Sequence, residues 1–208
     1  MERSAIVLAG GFSSRFGQDK GVLELSGKPL IKHVLDAVKP VVNEIVVVTN
    51  SQQRSEVYRK IVGREVKFAL DIEEAKGPLV GALTGFGAAQ GRYCVLLPSD
   101  LPFVSRSILE LFFELCHGRS AVIPRWPNAQ IEPLHAVYHT QAALEAAEVA
   151  VAEGRFDLRG MIEKLRGVRY VSTLVVQELD PELRTFFNVN TPLDLKRAEV
   201  MLKPRRKK

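Results

Sequence analysis

The feature that most constrains this chain is an alternation in which short, β-branched apolar runs trade places with longer stretches of helical periodicity. Ala5-Ile6-Val7-Leu8 precedes a helical pattern over 29–39, and Ile45-Val46-Val47-Val48 precedes one over 52–62. The series continues with an apolar run at 66–70, a helical 78–90, a run at 93–97, a helical 105–117 and Ala121-Val122-Ile123. Continuous apolar strands joined by crossover helices predict an α/β fold whose mostly parallel sheet is covered on both faces. After Pro124 the rhythm changes. A Pro-rich polar segment leads into helices over about 140–153 and 157–165 and a strand at 168–176. Asn188 and Asn190 then flank Val189 on an expected strand, and a last helix opens at Thr191-Pro192, a cap followed by proline at the first helical position.

Composition narrows the class. With 208 residues, 46% hydrophobic and 25% charged, the chain can afford one sizeable core and is neither disordered nor a disulfide scaffold. The formal charge is +5, but residues 203–208 alone carry five basic side chains, so residues 1–202 sum to zero. Nucleic-acid binding asks for basic residues spread over a face, which a terminal cluster does not supply. Residues 1–202 are therefore expected to form a single domain, with 1–124 as a nucleotide-binding half and 125–202 as an acceptor-binding half, and 203–208 a mobile basic tail. Cys94 and Cys116 lack zinc-ligand spacing and read as reduced thiols. No secretory signal pattern opens the sequence, and no run reaches the roughly 18 apolar residues of a membrane helix. A cytoplasmic monomer without membrane or nucleic-acid partners is the expectation.

In open parallel sheets ligands bind beyond the carboxyl ends of the strands. The first strand runs into Leu8-Ala9-Gly10-Gly11-Phe12-Ser13-Ser14-Arg15-Phe16-Gly17-Gln18-Asp19-Lys20. Adjacent glycines bring backbone N–H groups close to an anion, while hydroxyls and two cations add donors and charge, so the segment reads as a phosphate cradle. It is not a Walker loop, because five residues separate Gly21 from Gly27-Lys28 and Pro29 follows. Nor is it a dinucleotide fingerprint, since Gly10 and Gly11 are adjacent and Gly17 comes six residues after Gly11. Asp100 directly follows the run Val95-Leu96-Leu97 and should project at the same sheet edge, where a hard carboxylate oxygen suits Mg2+ alongside substrate phosphates, or caps the next helix.

The run LAGG-x-S-x-R-x-G-x-DK, followed by Leu25-Ser26-Gly27-Lys28-Pro29-Leu30, resembles the signature of the molybdenum cofactor guanylyltransferases within the nucleotidyltransferase superfamily. Three further segments are similar: Thr49-Asn50, Asp71 with Gly77-Pro78-Leu79-Val80-Gly81, and Pro98-Ser99-Asp100-Leu101-Pro102-Phe103. The resemblance implies a Rossmann-like, three-layer α/β/α nucleotidyltransferase fold. It implies GTP bound by Leu8, Ala9, Gly10, Gly11, Arg15, Lys20, Asn50, Asp71 and Asp100, with Arg15, Lys20 and Asp100 catalytic and Asp100 the ligand of Mg2+. Asn50 would contact guanine and Asp71 would be a second nucleotide contact. By residue type alone the first is also a turn residue and the second a solvated loop acid.

Asn188, Asn190, Glu132 and His135 fall in segments similar to the acceptor side; His135 or His139 has the chemistry of a general base, but a lone histidine beside a strand is more often structural and an ionised phosphate acceptor requires no base. The implied reaction moves GMP from GTP to molybdenum-bound molybdopterin, with other proteins of molybdenum cofactor biosynthesis as partners. The alternative is GTP or CTP used on another small phosphorylated acceptor, such as a sugar phosphate, a polyol phosphate or phospholactate.

Overall fold

The computed structural model describes residues 2–9, 12–13, 16, 18–63, 65–71 and 77–203. Its centre is β1 (Arg3–Leu8), whose side chains alternate between two apolar clusters, Ala5 and Val7 facing one way and Ile6 the other. A strand buried on both faces needs helices above and below it.

The chain leaves β1 through a two-residue ladder, β2 (Phe12–Ser13) against β3 (Gln18–Asp19), and a single turn of 3-10 helix at Lys20–Val22. The hairpin β4 (Glu24–Leu25) and β5 (Lys28–Pro29) follows. Ser26 and Gly27 form its turn with φ of 53° and 76°, the double left-handed pattern of a two-residue hairpin. Then come α1 (Leu30–Val38), β6 (Glu44–Thr49), α2 (Gln52–Val62), β7 (Lys67–Leu70), α3 (Pro78–Ala88), β8 (Tyr93–Pro98), α4 (Arg106–Leu115) and β9 (Ala121–Arg125). The second half adds β10 (Ala136–His139), α5 (Thr140–Ala152), α6 (Leu158–Lys164), β11 (Val168–Ser172), α7 (Thr173–Leu179) and α8 (Pro192–Leu202).

Seven strands form one sheet in the order β11-β9-β10-β8-β1-β6-β7, to which both halves of the chain contribute. Only β10 runs antiparallel to its neighbours, β8 and β9. Helices α1, α2 and α4 cover one face and α3, α5 and α6 the other, giving three layers. Gly85 of α3 lets that helix ride close on β1, since a Cβ there would lie 2.4 Å from Cγ2 of Ile6. The chain runs outward from β1 to β6 and β7, then returns through α3 to β8 on the other side of β1. That reversal is a topological switch point, where ligands settle in such sheets.

Three expectations need correction. The strand expected over 168–176 stops at Ser172, whose hydroxyl caps α7 by accepting from the Leu174 N–H. Leu174, Val175 and Val176 favour strand by type, yet only Thr173 and Val176 of α7 are buried, three residues apart, and that is helical spacing. Residues 188–190 are not a ladder strand. They follow a 3-10 turn at Arg184–Phe186 as an extended segment, linked by the Val189 N–H to the Asp100 carbonyl at 3.0 Å. Strand β10, only four residues long, comes directly out of the Pro-rich polar segment through a turn at Pro133-Leu134 that the His135 N–H closes by donating to the Glu132 carbonyl at 3.1 Å, and so short a run between that segment and α5 carries little pattern of its own.

A third apolar cluster closes the carboxyl edge of the sheet. Leu23, Leu25 and Leu30 pack with Val189 of the extended segment and Ala198 of α8. It joins the segment just after the glycine loop to the 187–198 segment, although some 170 residues separate Lys20 from Asn190 in sequence.

Cys94 and Cys116 are free and buried, and burial pushes both thiols up to about 12. No helix among the described residues is long and apolar enough to cross a membrane.

Candidate active site

Two backbone hydrogen bonds carry the ladders of β1 one step past its end. The Ala9 N–H donates to the Val48 carbonyl at 2.8 Å, and the Ser99 N–H donates to the Leu8 carbonyl at 3.0 Å. Asp100 follows directly on the second of these bonds, at the carboxyl end of β8. Asp100 is 7% exposed. Lys20 Nζ lies 3.1 Å from its Oδ2 and Asn188 Nδ2 lies 3.5 Å from its Oδ1, while Lys20 also donates to Asn190 Oδ1. Lys20, Asp100, Asn188 and Asn190, expected at one site from distant parts of the sequence, are thus brought together. Burial raises the Asp100 carboxyl, and the Lys20 ammonium offsets only part of that. A desolvated carboxylate with one cation beside it is an environment that favours further positive charge.

Leu8 and Asp71 border the same edge. The Asp71 N–H donates to the Thr49 carbonyl at 2.7 Å, which holds it at the end of β6. A Cβ at Gly81 would lie 3.6 Å from Leu8 Cδ2 and 3.7 Å from Asp71 Oδ2, so these three residues converge. Asn50 opens the turn into α2, and Arg54 Nη1 donates to its Oδ1 at 2.6 Å. Gly10, Gly11 and Arg15 lie outside the described residues.

One cluster was not assigned from sequence. Asp19 caps the 3-10 turn, its Oδ1 accepting from the Gly21 N–H at 3.0 Å and from the hydroxyl of fully buried Tyr58 at 2.5 Å. Arg54 Nε lies 3.3 Å from its Oδ2. Gly21 is required here, because a Cβ would lie 2.3 Å from the Tyr58 hydroxyl oxygen. The signal is the spacing of Arg54 and Tyr58, four residues apart and therefore on one side of α2, with Asn50 in the turn that leads into it.

Of the expected acceptor residues, His135 lies in the core. His135 is 1% exposed, packs against the rings of Phe112 and Phe186, and shares a hydrogen bond of 3.1 Å with Thr185. Burial pushes its pKa down to about 3. This is a core histidine, and the geometry does not bring it to the cleft. Glu132 accepts from Trp126 Nε1 at 2.6 Å, and His139 caps α5 by accepting from the Ala142 N–H at 3.3 Å.

Because the imidazole is neutral in the fold and titrates near 6.5 when unfolded, its contribution to stability is complete above that value and lost as pH falls toward about 3. Denaturation midpoints at about pH 7.5 and about pH 5 should therefore separate less in His135→Gln than in the unsubstituted protein, by up to about 1.4 kcal/mol per pH unit. Equal losses in both proteins would contradict this placement.

Residues 5–168 match the family model of the MobA-like NTP transferase domain. The chain belongs to the MobA-like NTP transferase family. The probable molybdenum cofactor guanylyltransferase of Methanosarcina mazei is 36% identical over 198 residues, covering 93% of this chain and 88% of that protein. The molybdenum cofactor guanylyltransferase of Desulfosudis oleivorans is 31% identical, covering 96% of each. Among solved structures, molybdopterin-guanine dinucleotide biosynthesis protein A of Archaeoglobus fulgidus superposes with a TM-score of 0.80 at 32% identity, covering 95% of this chain and 97% of its own. A 4-diphosphocytidyl-2C-methyl-D-erythritol synthase of Anaerococcus prevotii superposes at 0.75 with 15% identity, a likeness of fold alone. This MobA-like chain thus has the Rossmann-like, three-layer nucleotidyltransferase architecture, with Lys20 and Asp100 at its switch point.

Proposed function

We propose that this chain transfers GMP from GTP to molybdenum-bound molybdopterin, releasing pyrophosphate and forming molybdopterin guanine dinucleotide. The observation that carries the reading is the convergence of Lys20, Asp100 and Asn190 beside the end of β1, within a MobA-like domain. A terminal phosphate oxygen of the acceptor attacks the α-phosphorus of GTP, the bond to the bridging oxygen of the β-phosphate breaks, and pyrophosphate leaves with that electron pair. A phosphate monoester is largely dianionic near neutral pH, so the attack needs no general base. That agrees with a histidine buried in the core rather than in the cleft.

What such a transfer asks of the protein is positioning and charge neutralisation. Lys20 places an ammonium at the sheet edge where the triphosphate would lie, and Gly10, Gly11 and Arg15 contribute the rest of the cradle. Asn50 and Asp71 hold the base, and Asn188 and Asn190 border the acceptor. The donor set suits Mg2+: one desolvated carboxylate, Asp100, beside the amide oxygen of Asn190, with the remaining ligands left to phosphates and water. Bound there, the ion would neutralise phosphate charge. GTP and molybdopterin are the partners, the 1–124 and 125–202 halves serve nucleotide and acceptor, and the enzyme acts as a cytoplasmic monomer, other proteins of molybdenum cofactor biosynthesis delivering or receiving the pterin.

Thermal melts in Mg2+ test the donor. A nucleotide at 100 times its Kd adds about 2.7 kcal/mol, so GTP should raise the midpoint while CTP and ATP at the same concentration do not. Equal shifts with all three, or none with GTP, would contradict the assignment.

A further inference from the structure

The Asn50 amide has a fixed polarity. A guanidinium can only donate, so the Asn50 atom that faces Arg54 Nη1 at 2.6 Å must be the carbonyl oxygen. Nδ2, a pure donor, then faces outward and donates to no side chain or backbone group among the described residues. Arg54 is itself held: its Nε lies 3.3 Å from Asp19 Oδ2, and Asp19 is fixed by the Tyr58 hydroxyl and the Gly21 N–H. The guanidinium therefore engages two groups at once, hydrogen-bonding the amide at the start of α2 and ion-pairing with the carboxylate that precedes Lys20.

We infer that Arg54 is a positioning residue for base specificity: anchored on Asp19, it locks Asn50 as a hydrogen-bond donor to the base. The site then selects a nucleotide whose base offers a carbonyl oxygen at that edge, as guanine does with O6, over one that offers an amino group there, as adenine does. The inference rests on the reading that Asn50 meets the base. It adds which atom of Asn50 does so and what holds that atom in place. Without Arg54 the amide can turn about its last torsion and present either oxygen or nitrogen, and the distinction between keto and amino bases fades.

Calorimetric titration of the purified protein with GTP, ITP and ATP, each with Mg2+, tests this. ITP keeps the O6 oxygen of guanine and lacks its 2-amino group. In Arg54→Met the Kd for GTP and for ITP should rise together by about tenfold or more, with the Kd for ATP within about twofold of the unsubstituted protein. Asp19→Asn, which removes the charge that holds Nε, should move the ratios the same way. Arg54→Lys keeps a cation for Asp19 but cannot span to Asn50, so it should relax selectivity like Arg54→Met and serves if the latter fails to fold. Equal weakening of all three nucleotides in these variants would leave Arg54 a purely structural role and overturn the inference. So would loss of GTP with ITP spared, because Asn50 would then be reading the 2-amino group. Asn50→Ala separates the two levels. If it leaves the ratio of GTP to ATP affinity unchanged, the base does not lie at Asn50 and the underlying reading fails, whereas a changed ratio with Arg54→Met inert overturns the role of Arg54 alone.

Discussion

Asp100→Asn is expected to slow guanylyl transfer by a factor of about 10²–10³ or more while leaving the protein at least as stable as before. The two halves of that expectation have one cause. The Asp100 side chain is 10% exposed and has the Lys20 ammonium as its cation, so the fold carries a desolvated charge whose compensation is incomplete. An amide of the same shape removes that cost in the resting protein. It also removes the carboxylate at the end of β8 that the proposed function assigns to Mg2+. Loss of activity without loss of stability is the mark of a group retained for function. Urea midpoints together with initial rates of transfer check it. A variant that turns over normally, or one that is inactive because it has unfolded, would contradict this account of Asp100.

Lys20→Met should abolish transfer to a similar degree, with the opposite effect on stability. The Lys20 side chain is 22% exposed and sits between the Asp100 carboxylate and the Asn190 oxygen. Removing its charge leaves Asp100 buried without a cation, a loss of about 1–3 kcal/mol. Arginine should not restore activity, because its planar fork cannot occupy the point where one ammonium meets two oxygens. The pair is coupled, so Lys20→Met combined with Asp100→Asn should recover most of the stability lost in Lys20→Met alone while remaining inactive. Stability lost additively in the double variant would show that the two side chains act independently.

Much of this was legible in the sequence because parallel sheets write themselves plainly. Near-continuous apolar runs, such as those of β1, β6 and β8, mark strands buried on both faces, and the residues that follow them in an α/β sheet are the ones that meet ligands. Asp100 can be placed at the sheet edge on that rule alone, whereas Asn50 and Asp71, which also follow strands, are singled out by the family resemblance. The rule is blind to long-range closure. That Asn190 would reach Lys20 depends on Leu23, Leu25 and Leu30 packing with Val189 and Ala198, and no local pattern announces that cluster. Helix α7 was read as strand because β-branched type outweighed spacing, and tertiary packing decided for spacing. A lone histidine beside a strand is more often structural than catalytic, but nothing local shows how deeply His135 is buried; Phe112 and Phe186, which enclose it, come from α4 and the 3-10 turn before α8. Asp19 was in view inside the signature, yet its role emerges only with Tyr58 and Arg54 across from it.

Guanylyl transfer to molybdopterin is tested most directly by following the label. Purified protein is incubated with Mg2+, molybdenum-bound molybdopterin and GTP labelled at the α-phosphate, and the pterin and pyrophosphate are quantified together. Label is expected in molybdopterin guanine dinucleotide with one pyrophosphate released per transfer, and none when α-labelled CTP replaces GTP. Pyrophosphate release without label on the pterin, or transfer from CTP as readily as from GTP, would contradict it.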